Sequence, residues 1–523
     1  MIKAALLIAR KDFLLNVRSV RFVICMLLCL LFVPFAIITG TDNFTRQLDI
    51  HAKLKIQTDS LMAHKHVWSN VRPITLKQPE TLSIFSEGIN NNIGMINKTL
   101  IGDYPVFPAM NGNSQGYYSN PLLNSFSFTD FSSILGIILS LLAFSFAYNS
   151  FTQEKEDGML RMIFSEPVQR VSFIFGKLLG IFFTLAPVAI GCYLLATGYL
   201  IYRHIPLHAV ELNGIFLLFL LSLSYLTLFI VAGTFISSLF HHSQSALIIC
   251  FLCWIGAIFI IPPTGTYLAQ MIVPLRDYKN LNDELNEIDN DFNRWQWAFQ
   301  DSLQTALGLK ECFPIFNNGW DDGGSDNWGI SKKYAEFNRQ ANIVTNRMRI
   351  ENADRKWTVQ EKYLNELIRQ KQIKQILTSL SPMQIYTDGV QNVCRTSSSF
   401  CLEYMAEERA YRQTMIDFFQ KNHLFGSLSY FTTDKEEDLI DDEKFDRLIK
   451  EMDLYDQRLN DSIYHALKMR PLLDTSLMPQ FRQTPPSVRR QWQEASPVLG
   501  IFVLLSGLFL YLLMRSSARY DIR

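Results

Sequence analysis

Six runs free of Asp, Glu, Lys and Arg divide this chain: 22–40, 131–151, 178–202, 212–240, 245–274 and 495–514. Each is long enough to cross the ~30 Å hydrocarbon core of a bilayer as a helix, which takes roughly 17–25 residues. Lipid offers no partner for backbone N–H or C=O groups, so a spanning segment must close its own hydrogen bonds. The fold class that follows is an all-α polytopic membrane protein with polar sections between its spans. The formal charge is zero and only 19% of residues are charged, which gives no support to nucleic-acid binding.

In chain order, residues 1–21 carry Lys3, Arg10, Lys11, Arg18 and Arg21 against the single acid Asp12. Ile2, Ala5, Leu6, Ala9, Phe13 and Val17 recur among them at helical spacing, so this segment reads as an interfacial helix on the membrane surface. The first run follows a basic start and is long enough to span, so it reads as a span and not a cleaved signal. Section 41–130 is polar, with Asn and Gly clusters at 90–94 and 111–113 that read as a small, loop-rich domain. A charged segment, 152–177, separates the second and third spans. Section 276–494 is polar and mainly helical, and Pro471, Pro479, Pro485 and Pro486 tether it back to the sixth span. Six spans place both termini on one side, together with Lys155, Arg161, Arg170, Lys177 and the tail 515–523. The positive-inside rule makes that side cytoplasmic, with Arg489 and Arg490 outnumbered on the other. Both long polar sections are then expected outside the membrane.

The segment 151–177 carries the most specific pattern. Glu154-Lys-Glu156-Asp-Gly158-Met-Leu160-Arg161 is followed by Ser165-Glu-Pro167-Val-Gln-Arg170 and by Gly176-Lys-Leu-Leu-Gly180. Its apolar residues Met159, Leu160, Met162, Ile163 and Phe164 follow the charge cluster, as on a surface helix that rests its apolar side at a membrane face with its charged end in water. In order and spacing this resembles the cytoplasmic coupling segment of ABC-2-type transporter permeases, with Met159 where that family more often has Thr. The resemblance extends over all six spans. It implies six transmembrane helices of ABC-2 exporter type, a mainly helical extracytoplasmic domain and a bacterial inner-membrane location. It also implies a separate ABC ATPase subunit that binds ATP and Mg, with no cofactor on this chain, and a second permease as homodimer or heterodimer partner. Glu154, Glu156, Gly158, Leu160 and Arg161 are the expected ATPase contacts. Pro262, Pro263 and Gly265, near the outer end of the fifth run, resemble the family's re-entrant outer gate; the plainer reading is a helix end. The outer section is similar, more loosely, to that of bacterial permeases linked to gliding and to copper-enzyme maturation, with Leu380-Ser381-Pro382 and Tyr404 to Tyr411 as the matching points. A periplasmic partner is implied as well.

Other constellations are bland. No Gly-x-x-x-x-Gly-Lys-Ser/Thr occurs, so any ATP hydrolysis belongs to another polypeptide. Neither Gly-x-Ser-x-Gly nor His-Glu-x-x-His occurs, and this chain is expected not to be an enzyme. Asp321, Asp322 and Asp326 lack the spacing of a calcium loop. His241 and His242 have no further ligands nearby and read as a turn, so no metal is expected. The run Asp434 to Glu443 reads as a solvated helix start. Cys250-x-x-Cys253 lies in an apolar run and reads as buried small residues, whereas the spacing of Cys394 and Cys401 allows a disulfide. Two functions fit these residues. One is the permease half of an ATP-driven exporter. The other is a mechanical transducer that works periplasmic partners without moving cargo through its core.

Overall fold

The computed structural model describes residues 2–89, 96–99, 101–103, 130–165, 169–309, 314, 316–317, 326–451 and 470–518. Among the described residues, six helical stretches are long and apolar enough to cross a membrane. Helix α1 (Ile2–Val17) precedes the first, α2 (Val20–Ala63). The Ser19 side chain accepts from Phe22 N and so satisfies one of the free amides that begin α2. Helix α2 has 44 residues, or ~66 Å at 1.5 Å per residue, about twice the bilayer core. This corrects the reading of 41–130 as loop-rich from its start. The change from apolar to polar at Thr41 marks the exit from lipid while the helix runs on to Ala63. Beyond it, β1 (Ile74–Leu76) pairs antiparallel with β2 (Ile96–Lys98); both Asn/Gly clusters lie outside the described residues.

The second span is α3 (Phe131–Ala147), followed by the short helices α4 (Thr152–Glu156) and α5 (Met159–Ser165). Then come α6 (Arg170–Tyr202) and α7 (Ala209–Leu239). A Cβ at Gly176 would stand 2.7 Å from Ile8, and one at Gly180 2.8 Å from Asp12. The Gly-Lys-Leu-Leu-Gly stretch therefore seats α1 directly on α6, as small residues do between membrane helices.

The fifth span is α8 (Ser243–Ile255), a π turn (Gly256–Ile260) and α9 (Ile261–Ile272). Pro262 and Pro263 were expected to end this helix or turn it back. They occupy the first turn of α9, where a missing N–H costs least, and the chain stays helical to Ile272. The element that returns into the bundle comes from section 276–494. Helix α10 (Tyr278–Ala306) leads outward and α11 (Lys332–Thr378) comes back along α9. Gln370 Nε2 donates to Val273 O at 2.9 Å, Thr378 lies against Gly265, and Ser381 Oγ donates to Ala257 O inside the π turn. Ala257 is ~21 Å along the helix from Ser243, within the depth of a ~30 Å core. Helix α12 (Pro382–Cys394) then rises between α3, α7 and the sixth span, α15 (Val488–Ala518). Met383, Tyr386, Val390 and Val393 are fully buried there. The Tyr386 hydroxyl meets Ser222 Oγ at 2.8 Å, which meets Tyr193 OH at 2.8 Å, and Tyr225 stacks on Tyr386 at 4.7 Å. Part of section 276–494 thus lies among the spans, a correction that hydropathy could not supply because α12 also carries Gln384, Asp388, Gln391 and Asn392.

Outside the spans, α13 (Ser398–Lys421) packs against α11 and the 3₁₀ turns at 424–430. The acidic run is not simply solvated. Asp434 pairs with Arg470 at 2.8 Å and Asp441 with Lys332 at 2.6 Å, while Asp442, which opens α14 (Asp442–Glu451), accepts from Lys333 N. It ties down the start of α11. Arg395 stacks over Phe400 at 4.5 Å and pairs with Glu80 at 3.2 Å. Burial pushes Glu80 up to about 7 and Lys77, over the same ring, down to about 8. Cys394 and Cys401 are free thiols in different apolar clusters, so the allowed disulfide is not made. Cys312, Asp321 and Asp322 lie outside the described residues.

The contact between α9 and α11 predicts a specific rescue. A Cβ at Gly265 would stand 2.4 Å from Thr378 Cγ2, so Gly265→Ala should cost about 1–3 kcal/mol as overpacking. Adding Thr378→Ser, which removes that methyl, should restore most of the loss, and Gly256→Ala, with open space around it, should cost less. Thermal unfolding of the purified protein reads all three. No rescue by Thr378→Ser would show that the contact is not what holds α11 down.

Candidate functional site, the segment between the second and third spans

Helix α4 spans only Thr152–Glu156, yet four of its five residues bond to a neighbouring span. Ser237 Oγ of α7 accepts from Phe151 N and Thr152 N at 3.0 and 3.3 Å. Lys155 Nζ donates to Ser238 O and Phe240 O, the last carbonyls of α7, at 2.5 and 2.9 Å. Glu156 accepts from Ser243 N and Ser243 Oγ, both at 2.7 Å, and so caps the start of α8. Glu154 pairs with Lys177 of α6 at 2.5 Å, and Lys177 reaches Asp12 of α1 at 3.1 Å. All three side chains are nearly closed off from solvent, at 11%, 8% and 13% exposure.

The same end of the bundle shows a repeated device. Helices end with carbonyls that have no partner inside the helix, and a cation nearby satisfies both the lone pairs and the helix dipole. Three spans end here, and each receives one. Arg21 donates to Ser145 O near the end of α3, Lys155 serves α7, and Arg170 Nη1 serves Ser517 O and Ala518 O of α15 at 2.7 and 2.8 Å. Arg21, Lys155 and Arg170 thus each serve a helix end, whereas Lys177 and Arg203, which also flank an apolar run, pair with carboxylates.

The five expected contact residues do not form one surface. Glu154 faces inward on Lys177, Glu156 is bonded to Ser243, and Leu160 is 2% exposed in the main apolar cluster. Gly158 is an exposed turn with φ +69°, a conformation that favours glycine, and Arg161 lies on α5. Between Gln153 and Met162 the exposed residues are Gln153, Glu156, Asp157, Gly158, Met159 and Met162, the two methionines 43% and 70% exposed. Residues 166–168 lie outside the described residues. Sequence reasoning missed Asp12, Ser237 and Ser243 as partners of this segment. Ser237 and Ser243 sit at the ends of runs that need caps, a signal the sequence carried, whereas Asp12 lies inside α1 and had none. Pro262, Pro263 and Gly265 lie far along the fifth span from this site, against the foot of α11. Among the described residues no group of His, Cys, Asp and Glu is arranged to hold a metal.

The Glu154–Lys177–Asp12 bracket should behave as a buried charge network. Lys177→Met leaves two carboxylates enclosed and should cost about 3–5 kcal/mol. Combining it with Glu154→Gln and Asp12→Asn should recover more than half, measured by denaturant unfolding in detergent. Equal losses in the single and triple variants would remove the bracket from the account of stability.

The model of a family described as ABC-2 family transporter protein matches residues 6–421, from α1 through five spans and the outer helices to the end of α13. No curated protein and no solved structure matches the chain. The matched region takes in the bracketed segment and the hairpin formed by α11 and α12. The chain belongs to the ABC-2 transporter family, as a multi-pass membrane component of an ABC transport system.

Proposed function

We propose that this chain is the permease subunit of an ATP-driven exporter, and that its 152–177 segment receives the stroke of a separate ABC ATPase. One observation carries this reading: α4 bonds to α6, α7 and α8 at one end of the bundle, Lys177 links it on to α1, and the adjoining α5 exposes Met159 and Met162. A push on α5, which packs on α4, is passed by the bonds of α4 to α6, α7 and α8 and through Lys177 to α1. Methionine is flexible and polarisable and suits an apolar contact that must form and release. ATP and Mg belong to the ATPase, and this chain contributes force transmission without chemistry. The termini and the segment lie in the cytoplasm, both outer sections in the bacterial periplasm, and a second permease completes the membrane unit.

The transducer reading also has an observation in its favour. Tyr193, Ser222, Tyr225, Tyr386 and Phe502 fill the middle of the bundle and are almost wholly buried, so a path for cargo runs between two chains or not at all. On either reading the outer helices deliver the output, to a substrate or to a periplasmic partner.

Two measurements test this proposal. Met159→Glu with Met162→Glu should lower co-purification of the ATPase about tenfold, the effect of ~1.4 kcal/mol, and leave the unfolding midpoint of the permease unchanged. Undiminished co-purification with undiminished ATP turnover would exclude the segment as the docking site. For orientation, Asn422→Cys on the outer section should react with an impermeant thiol reagent applied to intact spheroplasts, and Arg515→Cys should react only after lysis. The reverse pattern would invert the topology.

A further inference from the structure

An apolar groove of about 240 Å³ opens between α2, α3 and α8. Its floor is Cys250 and Trp254, 1% and 8% exposed, and its rim is Ile24, Leu247 and Phe251, each close to half exposed on the side where lipid would lie. Trp254 Nε1 donates to Ser140 Oγ at 3.0 Å, which fixes the indole as a wall. Arg21 stands at one end of the groove, level with the last turn of α3.

Arg21 has five N–H donors in a planar fork. One end of the fork meets Ser145 O at 3.2 Å and the other the Tyr148 hydroxyl at 2.6 Å, with the Tyr148 ring 4.9 Å from the guanidinium carbon. No carboxylate lies within ion-pair distance of it among the described residues. A guanidinium held at the water–lipid boundary with spare donors and no counter-ion is matched by a phosphate, which it can take bidentately. The groove is smaller than the ~300–1,000 Å³ of pockets that enclose a whole small molecule. It suits one acyl chain with its headgroup outside. From Leu247 to Trp254 it extends ~10 Å along α8, the depth of part of one leaflet.

We propose that this groove binds an anionic phospholipid from the leaflet that carries α1, with one chain against Cys250 and Trp254 and the phosphate on Arg21. The lipid would complete the contact between α2 and α8, which share little else in the described structure, and it would do so beside the α3 terminus that Arg21 caps. This is independent of whether the chain exports cargo or transduces force.

The test uses the full chain in nanodiscs of phosphatidylcholine with phosphatidylglycerol as the minority lipid, each in turn carrying a photoreactive group in its tail. Labelled peptides are identified by mass spectrometry. In the unaltered protein phosphatidylglycerol should label peptides of α2, α3 and α8 around the groove in preference to phosphatidylcholine. Arg21→Gln, which keeps donors for Ser145 and Tyr148, should lower phosphatidylglycerol labelling about tenfold, the effect of one charge-assisted contact, and bring it to the phosphatidylcholine level. Ile24→Trp, which fills the groove, should lower labelling by both lipids, and Leu31→Trp, exposed elsewhere on α2, should change neither. Equal labelling by the two lipids, or unchanged labelling in Arg21→Gln, would overturn the proposal. So would Leu247→Cys cross-links between two copies with no lipid labelling, because the groove would then be an interface between chains.

Discussion

Unpaired carbonyls at helix ends govern the arrangement of one whole face of this protein. A helix that stops at a membrane boundary leaves several C=O groups without partners, and lipid cannot supply them. Here α3, α7 and α15 end on the same face, and Arg21, Lys155 and Arg170 each close one of them. Each cation comes from a different helix than the one it caps, so satisfying the backbone also fixes which spans are neighbours. The glutamates do the converse work, Glu156 at the start of α8 and Glu154 in the pair that fastens α6 to α1. The candidate docking surface is what stays exposed once these demands are met, Met159 and Met162 beside Glu156, Asp157 and Gly158.

The fold class, the six spans and the family were legible because lipid imposes a length and a composition that sequence records directly. The site was legible in place but not in detail. Periodicity located a surface helix in 152–177, yet spacing does not say whether a glutamate faces water or a lysine twenty-three residues away in the chain. Glu154 and Glu156 read as surface charge because their partners Lys177 and Ser243 lie in other spans. Helix α12 was missed for the opposite reason. Its buried face, Met383, Tyr386, Val390 and Val393, alternates with amides and Asp388, and averaging over a window dilutes an apolar stripe to neutrality. Pro262 and Pro263 misled because proline is a break signal inside a helix but is neutral in a first turn, and the π turn before them creates that first turn.

The hairpin of α11 and α12 joins the outer section to the spans more intimately than a tether would. Ser381 supplies a hydrogen bond to a carbonyl of the π turn, where the wider turn departs from regular α-helical bonding. Tyr386 enters the same hydroxyl chain as Tyr193 and Ser222 from α6 and α7. Any relative movement of these spans must either carry α12 along or break that chain, so the outer helices are part of the membrane machinery and not an appendage to it.

Helix α11 has 47 residues without an internal proline, a rod of ~70 Å at 1.5 Å per residue. Its foot is held between Gly265 and Ala257, and its head lies among the loops at the far end of the molecule. A rod that turns about its foot multiplies angle into distance, and it would carry along the Asp441–Asp442 segment bonded to its head. Tilting its foot by about 5° carries the head ~6 Å sideways, more than one full helical turn of travel. Motion too small to open a channel in the bilayer would still be a large displacement at the tip.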